Sequence, residues 1–336
     1  MARPAKQALE RIPITLLTGF LGSGKTTLLQ GLLSQPEMAR TALVVNEFGE
    51  ISIDHLLLAR SSDNIVELAN GCLCCEVRHD LVQTLFGLFA GARNGNIPAF
   101  DRVIIETTGL AEPASILQML ALEEPVARRY SLNGVVTVVD ILNGNATLDR
   151  HPTAVNQVAT ADLIVLTKED LVDAGSLSRL GERIAQLNPD CERLQVRFGK
   201  LPAERILGLA KARGLWTDRL TATPHSHNHA LSCSWTFTEA ITQGALKRWL
   251  DRIRELKGYN LLRLKALLNI EGRPLAVHAA QLFLHPPEIL DSWPAGDRRS
   301  HIVVILHSDD TRFEEAMQLL QSRVIDSPEL ECFNTD

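Results

Sequence analysis

Residues 19–26 form the segment with the clearest chemistry in this chain. Their sequence, Gly-Phe-Leu-Gly-Ser-Gly-Lys-Thr, matches the phosphate-loop pattern G-x-x-x-x-G-K-[ST] in full. Glycines let backbone N–H groups point inward without a clash from Cβ, which creates an anion site at a helix start. Lys25 is expected to reach the β- and γ-phosphates, and Thr26 to bind Mg²⁺. We predict that a nucleotide is held by Gly19, Gly22, Ser23, Gly24, Lys25 and Thr26.

A second apolar run ends in an acidic residue that suits the Mg²⁺ shell. Residues 103–105 are apolar, Glu106 follows them, and Gly109 comes three residues later. A carboxylate at a strand end can bind hydrated Mg²⁺, and the Gly109 amide can sense a γ-phosphate. We expect Glu106 and Gly109 to complete a catalytic set with Lys25 and Thr26. The alternative is that Glu106 is merely exposed at a strand end.

The tetrapeptide Thr167-Lys168-Glu-Asp170 indicates which base is bound. It follows the apolar run 163–166 and is a permitted form of the N-K-x-D guanine element. A carboxylate at Asp170 can accept from N1–H and N2–H₂ of guanine, a donor pair that adenine lacks. The aliphatic stem of Lys168 can lie over the base. Thr167 lacks the amide by which Asn ties loops together, but the pattern favours GTP over ATP.

Three cysteines lie within four positions, at Cys72, Cys74 and Cys75. Thiolates this close can converge on one soft cation, and Zn²⁺ accepts tetrahedral sulfur. Two alternatives stay open, a structural zinc knot and thiol redox chemistry. The fourth ligand is water or a side chain from the set Glu50, Glu76 and His79.

The other histidines and cysteines carry weaker signals. His225, His227 and His229 are either a metal-loading patch or part of a solvated linker. Isolated cysteines and histidines are expected to be buried core residues or to lie on sheet faces; these are Cys191, Cys233, Cys332, His278 and His301.

Apolar runs alternate with helical patterns in the first two-thirds of the chain, which predicts a doubly wound α/β domain with a mostly parallel sheet. The predicted strands are Ile14–Thr18, Ala42–Asn46, Val103–Glu106, Val135–Asp140 and Leu163–Thr167. The predicted helices are Lys25–Leu33, His79–Ala90, Ala114–Leu120 and Leu177–Leu187. This arrangement places the phosphate loop between a strand and a helix, and residues 46–50 on a switch loop.

The pattern changes after residue 218. We predict a domain at 1–218, a polar linker at 219–230 and a smaller α+β domain at 231–336. In the last domain we expect strands near 233–238, 262–268, 277–284 and 301–307, and helices over 246–256 and 313–320. Its cations between Lys247 and Arg273 are expected on a solvated helix face and one sheet face, where a partner could also dock.

Composition excludes several classes of protein. Hydrophobic residues make up 45% of the 336, enough for a sizeable core, and the six cysteines are too few for a disulfide scaffold. Lys and Arg total 34 against 40 Asp and Glu, which argues against nucleic-acid binding. The apolar stretch 12–21 is broken by Thr18 and Gly19, so we expect neither a signal peptide nor a membrane helix, and a cytoplasmic location.

Together these motifs resemble the CobW family of P-loop GTPases, the metallochaperone-like group of the SIMIBI class. The resemblance rests on the phosphate loop with Thr27, Asn46-Glu-Phe-Gly-Glu50, Gly71-Cys-Leu-Cys-Cys75, Glu106-Thr-Thr-Gly109 with Glu112-Pro113, and Thr167-Lys-Glu-Asp170. It covers almost the whole chain, since the second domain looks like the CobW C-terminal domain.

The resemblance implies slow, Mg²⁺-dependent hydrolysis of GTP, Zn²⁺ or Co²⁺ at Cys72, Cys74 and Cys75 with Glu50 nearby, and delivery of metal to a client protein. We expect the client on the C-terminal domain or the switch loops; the oligomeric state stays open. No long His-rich tract is present, which argues against bulk metal storage. The competing hypotheses are a P-loop kinase for a small molecule, a non-enzymatic zinc sensor or storage protein, and a redox switch.

Overall fold

The computed structural model describes residues 11–46, 65–67, 74–189, 191–209, 225–227, 230–255, 261–280, 283–293 and 297–307. Within these residues the chain forms two sheets of seven strands each. The first sheet is parallel and the second antiparallel. The predicted fold class, a doubly wound α/β domain followed by a smaller α+β domain, is confirmed.

The parallel sheet has the strand order β3-β2-β4-β1-β5-β6-β7. Its strands are β1 (Ile12–Thr18), β2 (Thr41–Asn46), β3 (Ile65–Glu67), β4 (Arg102–Thr107), β5 (Tyr130–Asp140), β6 (Leu163–Thr167) and β7 (Glu192–Gln195). The central strands are buried along nearly their whole length because helices cover both faces. All carboxyl ends meet at one edge of the sheet.

The helices of this domain fall on the two faces of the sheet. They are α1 (Lys25–Leu33), α2 (Cys74–Arg93), α3 (Pro113–Leu122), α4 (Glu124–Ala127), α5 (Gly144–Arg150), α6 (Pro152–Thr160), α7 (Ala174–Leu187) and α8 (Ala203–Leu207). Helices α1 and α8 pack on one face, and α2, α3, α5, α6 and α7 on the other. None of the helices in the described part of the chain combines the length and apolar character that crossing a membrane requires.

Every predicted strand and helix of the first domain is present, with differences at the ends. Strand β5 starts at Tyr130, five residues before its predicted start, because the polar Asn133 that interrupts the apolar run is buried and satisfied. Its Nδ2 donates to Thr15 Oγ1 at 3.0 Å and to Ile206 O at 2.9 Å. Helix α2 extends from Cys74 to Arg93, beyond its predicted bounds.

The antiparallel sheet has the order β12-β11-β10-β14-β9-β8, with β13 paired to β11. Its strands are β8 (His225–His227), β9 (Ala230–Phe237), β10 (Leu261–Ile270), β11 (Arg273–Ala280), β12 (Phe283–Leu284), β13 (Glu288–Ile289) and β14 (Ser300–His307). Helix α9 (Gln243–Glu255) packs on one face, with Trp249 against Leu264, Ala266 and Val304. His278 and His301 lie on these strands, as expected.

The sequence also predicts a polar linker before this sheet and a helix at the end of the chain. Three residues of the predicted linker, His225–His227, form the edge strand β8 and pair with β9, so backbone hydrogen bonds order this polar part of the linker. The predicted helix at 313–320 lies outside the described residues.

The two domains share one hydrophobic cluster. Leu262 and Ile305 of the second sheet pack with Val155 of α6 and Ile184 of α7. Arg263, which the sequence places on a solvated face, is instead 4% exposed, because the first domain covers that face of β10. Cys191 belongs to the same cluster and is buried, as predicted.

We predict that Cys191 is inert in the folded chain. Burial raises the pKa of its thiol to about 11, which leaves little of the reactive thiolate at neutral pH. Maleimide labelling of Cys191, followed peptide by peptide by mass spectrometry, should be at least about a hundredfold slower in native than in urea-unfolded protein. The rate should rise as the pH approaches this pKa. Equal rates in native and unfolded protein would contradict the packing of the two domains.

Candidate nucleotide and metal site

The phosphate loop connects β1 to α1 and crosses close to the neighbouring strand β5. Gly19 has φ +142°, and a Cβ there would lie 2.3 Å from Val138 O and 2.9 Å from Ser23 Oγ. Only glycine fits this crossing. The backbone therefore has the open cradle, at the start of a helix, that a phosphate group requires.

The Lys25 ammonium lies inside this loop. Its Nζ donates to Gly19 O at 2.8 Å and to Phe20 O at 3.2 Å, and the residue is 9% exposed. Thr26 follows in the first turn of α1 and is half-buried. The Lys25 ammonium therefore lies within the glycine loop, and the Thr26 side chain lies at the start of the helix that follows it.

Glu106 lies beside the start of the loop. It pairs in register with Leu17 of β1 and is 6% exposed, so the alternative of a merely exposed acid is wrong. A hydrogen bond from Thr107 Oγ1 to Thr18 Oγ1, at 2.9 Å, ties the two strand ends together. The carboxyl end of β4 is therefore fixed against the phosphate loop.

Gly109 packs directly on the phosphate loop. A Cβ at this position would lie 2.5 Å from Leu21 N and 2.8 Å from Leu21 Cα, closer than real Cβ contacts come. The segment after β4 thus reaches the loop only because residue 109 has no side chain. A γ-phosphate bound in the loop would be within reach of this segment's backbone.

The guanine element is tied to the loop by its first residue. Thr167 Oγ1 donates to Ser23 O at 2.6 Å, so the threonine hydroxyl connects the two loops in place of the amide that Asn would supply. Lys168 has φ +61°, and its Nζ lies 2.7 Å from Asp140 Oδ2. Asp170 is exposed, with its carboxylate accessible to a base.

Two parts of the site escaped the sequence analysis. From the sequence, Asp140 is only the last residue of a predicted strand. In the structure its carboxylate pairs with Lys168 and accepts a hydrogen bond from Leu142 N at 2.8 Å, so it holds the cation of the guanine element in place. The segment after β7 is the second: a Cβ at Gly199 would lie 2.4 Å from Thr27 O, and Phe198 beside it is 75% exposed with φ +51°. The available signal was the Phe198-Gly199 pair, which comes shortly after β7 in the sequence.

The segment after β7 is also joined to the guanine element by an ion pair, Arg197 to Glu169 at 3.0 Å. Together these contacts attach residues 197–199 both to the first turn of α1 and to the guanine element.

The last two cysteines of the motif, Cys74 and Cys75, begin α2, the helix that follows β3. Two of the predicted ligands, Cys72 and Glu50, lie outside the described residues. Strand β3 is three strand spacings from β1, so the carboxyl ends of these two strands are roughly 14 Å apart. Glu76 and His79, the further candidate ligands, belong to the first two turns of α2.

Two protein-family models match this chain, one in each domain. The family model described as CobW/HypB/UreG, nucleotide-binding domain, matches residues 13–195. That of the cobalamin synthesis protein cobW C-terminal domain matches residues 231–322.

Two relatives and one crystal structure illustrate the similarity. The zinc chaperone YjiA of Escherichia coli K12 is 34% identical over 78% of this chain and 83% of its own length. The zinc chaperone CobW of Pseudomonas aeruginosa is 32% identical over 95% of this chain and 94% of its own length. The crystal structure of Zn(II)-bound YjiA GTPase from E. coli superposes with a TM-score of 0.69 at 28% identity, covering 94% of this chain and 99% of that one.

Replacing Gly109 by Ala tests the contact with the phosphate loop. The added Cβ must displace the segment from Leu21, so we expect the GTP hydrolysis rate to fall at least about tenfold. GDP affinity should stay within about twofold, because GDP has no γ-phosphate for the segment to sense. Gly87→Ala is the control, since a Cβ in that part of α2 meets nothing within 4 Å. Wild-type hydrolysis by Gly109→Ala would contradict the assignment.

Replacing Asp170 by Ala tests base recognition. Loss of the carboxylate removes the acceptor for two guanine donors, so GTP affinity should fall at least about tenfold while ATP affinity is unchanged. Asp173→Ala is the matched control: this nearby carboxylate caps α7 by accepting from Ser176 N at 2.7 Å. Isothermal titration of both nucleotides measures the ratio. Unchanged GTP selectivity would show that the base is read elsewhere.

Proposed function

This chain belongs to the CobW/HypB/UreG family, and on that premise we propose that it is a GTP-hydrolysing metal chaperone. It binds Zn²⁺ at Cys72, Cys74 and Cys75 and delivers it to a client metalloprotein. The relatives described as zinc chaperones, and the YjiA crystal structure described as a Zn(II)-bound GTPase, support this function.

The observation that carries the proposal is the shared sheet edge. The helix that starts at Cys74 follows β3, and Glu106 is the next-to-last residue of β4, with β2 between these strands. The end of β2, Asn46, pairs in register with Thr107. In this proposal residues 46–50, which follow β2 in the chain, are the switch loop that connects the triphosphate side with the thiols.

The residues of the loop fit GTP with Mg²⁺. The glycine cradle at Gly19, the inward Lys25 ammonium and the Thr26 hydroxyl suit a triphosphate with a hard cation. Mg²⁺ would be held by Thr26 and, through water, by the buried Glu106; the ion would neutralise charge on the β- and γ-phosphates. In this proposal Lys25 exchanges its carbonyl partners for phosphate oxygens. Thr27 then contacts the nucleotide next to Thr26.

Base selection is assigned to the guanine element. Thr167 connects it to Ser23, Asp140 restrains the Lys168 side chain, and Asp170 accepts from the base. No residue of this set is an evident general base, so hydrolysis is proposed to be slow and to depend on positioning.

Coupling between GTP and metal follows from linkage. If GTP orders residues 46–50 and thereby tightens Zn²⁺ binding, then Zn²⁺ tightens GTP binding by the same factor. Thiolate ligands also accept Co²⁺, which we propose as an alternative cargo. Free thiolates require a reducing compartment, which favours the cytoplasm.

We propose three functional regions, a GTPase domain at 1–218, a connection at 219–230 that includes β8, and a C-terminal domain at 231–336. The client is proposed to dock on this last domain or on the switch loops. The second sheet already uses one face for α9 and the other for the GTPase domain. Docking is therefore expected at its rim.

Zinc affinity in different nucleotide states tests this proposal. Competition with a chromophoric chelator, in reducing buffer with Mg²⁺, should give a Kd that differs at least about fivefold between GDP and a non-hydrolysable GTP analogue. The ratio of GTP-analogue affinity to GDP affinity should change by the same factor when Zn²⁺ is added. Cys74→Ser should abolish tight binding in every nucleotide state.

Cys191→Ala is the matched control, because this buried thiol lies in the domain interface and should leave zinc affinity unchanged. Tight binding that ignores nucleotide would indicate a structural or sensor zinc and overturn the chaperone cycle. Absence of binding would indicate redox chemistry at the cysteines. A phosphorylated product in the presence of a small-molecule acceptor would favour a kinase.

A further inference from the structure

Helix α6 holds the segment after β4 through two amide side chains. Gln157, with no exposed surface, donates from Nε2 to Gly109 O and to Ala111 O, both at 3.2 Å. One residue earlier, Asn156 donates from Nδ2 to Glu112 Oε2 at 3.1 Å. The backbone that touches the phosphate loop is therefore attached to α6.

The carboxyl end of α6 is held by the second domain. Arg263 of β10 donates from one terminal nitrogen to Thr160 O at 2.7 Å and from the other to Asp162 Oδ1 at 2.6 Å. The side chains of this ion pair are only 5% and 9% exposed. Asp162 Oδ2 also accepts from Val135 N at 2.9 Å, which fixes the pair to β5.

The last turn of α6 has little freedom to adjust by itself. Asn188 donates from Nδ2 to Val158 O, Ala159 O and Ala161 O, at 2.9, 3.3 and 3.0 Å. These carbonyls lie at a helix end, where partners within the helix run out. A nine-residue helix is about 13 Å long, so α6 is a short rigid body that responds to force as a unit.

We infer that α6 is a positioning element through which the C-terminal domain sets the GTPase site, with Gln157 and Arg263 as its two attachment points. This inference rests on the proposed GTPase cycle. Gln157 is a positioning residue, because it acts through the backbone of residues 109–111 and not on the nucleotide. Arg263 keeps α6 in the position from which Gln157 reaches that backbone.

The coupling runs in both directions. When a γ-phosphate draws residues 109–112 toward the phosphate loop, the amide of Gln157 follows and α6 moves with it. The far end of the helix then displaces Thr160 O and Asp162 relative to Arg263, which changes the environment of β10. Conversely, a client that shifts β10 changes the hydrolysis rate without touching the nucleotide.

Variants of the two attachment points test the inference. Arg263→Met and Gln157→Met keep side-chain length but remove the donors. Each should lower kcat for GTP at least about fivefold, while KM for GTP and GDP affinity change less than about twofold. The double variant should lose less than the product of the two single losses, because both act on one helix. Arg263→Lys, which keeps the charge, should restore part of kcat.

Arg299→Met is the matched control, since its guanidinium forms a more exposed pair with Asp297 in the same domain, 54% and 32% exposed. It should leave kcat unchanged. Thermal unfolding verifies that each variant is folded.

A second measurement needs no variant. In the wild-type chain, exchanging GDP for a non-hydrolysable GTP analogue should change hydrogen-exchange rates of β10 amides at least about twofold. Wild-type kcat in folded Arg263→Met, strictly multiplicative losses in the double variant, or β10 exchange that ignores nucleotide would each overturn the inference. Absence of GTP hydrolysis by the wild type would overturn the proposed function instead, and the exchange measurement would still decide the role of α6.

Discussion

The phosphate loop is located by three backbone contacts that leave no room for a side chain. Gly19 crosses against Val138 O of β5, Gly109 lies on the backbone of Leu21, and Gly199 lies on the first turn of α1. Each contact brings a segment from a different strand end to the same few residues. These contacts constrain the rest of the domain. The order of the parallel strands must bring the segments that follow β1, β4 and β7 to these points of contact.

The strands around the loop could be predicted because the hydrophobicity of each run matches its burial in the sheet. Runs such as residues 163–166 are apolar throughout, as is typical of strands buried on both faces. Helices α5 and α6 could not be predicted, since their stretch contains Gly, Asn, Pro and Thr, which favour turns. Their helical form depends on partners distant in sequence, such as Asn188 at the end of α6. The spacing of residues in two motifs predicted roles for Lys25 and Thr167. Gln157 and Asp140 belong to no motif, and only the folded structure brings them into contact with Gly109 and Lys168.

The second domain illustrates a different limit. The alternation of apolar and cationic residues along β10 shows which side chains share a face of the sheet. It does not show what covers that face. Arg263 and Lys265 occupy adjacent positions on the same side, so both suggest a solvated surface; packing against α6 and α7 makes Arg263 a buried member of an ion pair with Asp162. A charge at a regular strand position is therefore weak support for solvent exposure when another domain follows or precedes it.

The hydrophobic cluster that the two domains share limits how the chain can be truncated or its domains exchanged. A recombinant fragment ending near residue 218 would leave the apolar surfaces of α6 and α7 facing water where Leu262 and Ile305 now lie. Asp162 would keep its carboxylate but lose the guanidinium beside it. Such a fragment would be prone to self-association, and its turnover would describe a protein with an altered α6. Exchange of the C-terminal domain between homologues should succeed only when the residues that contact it from α6 and α7 are exchanged with it.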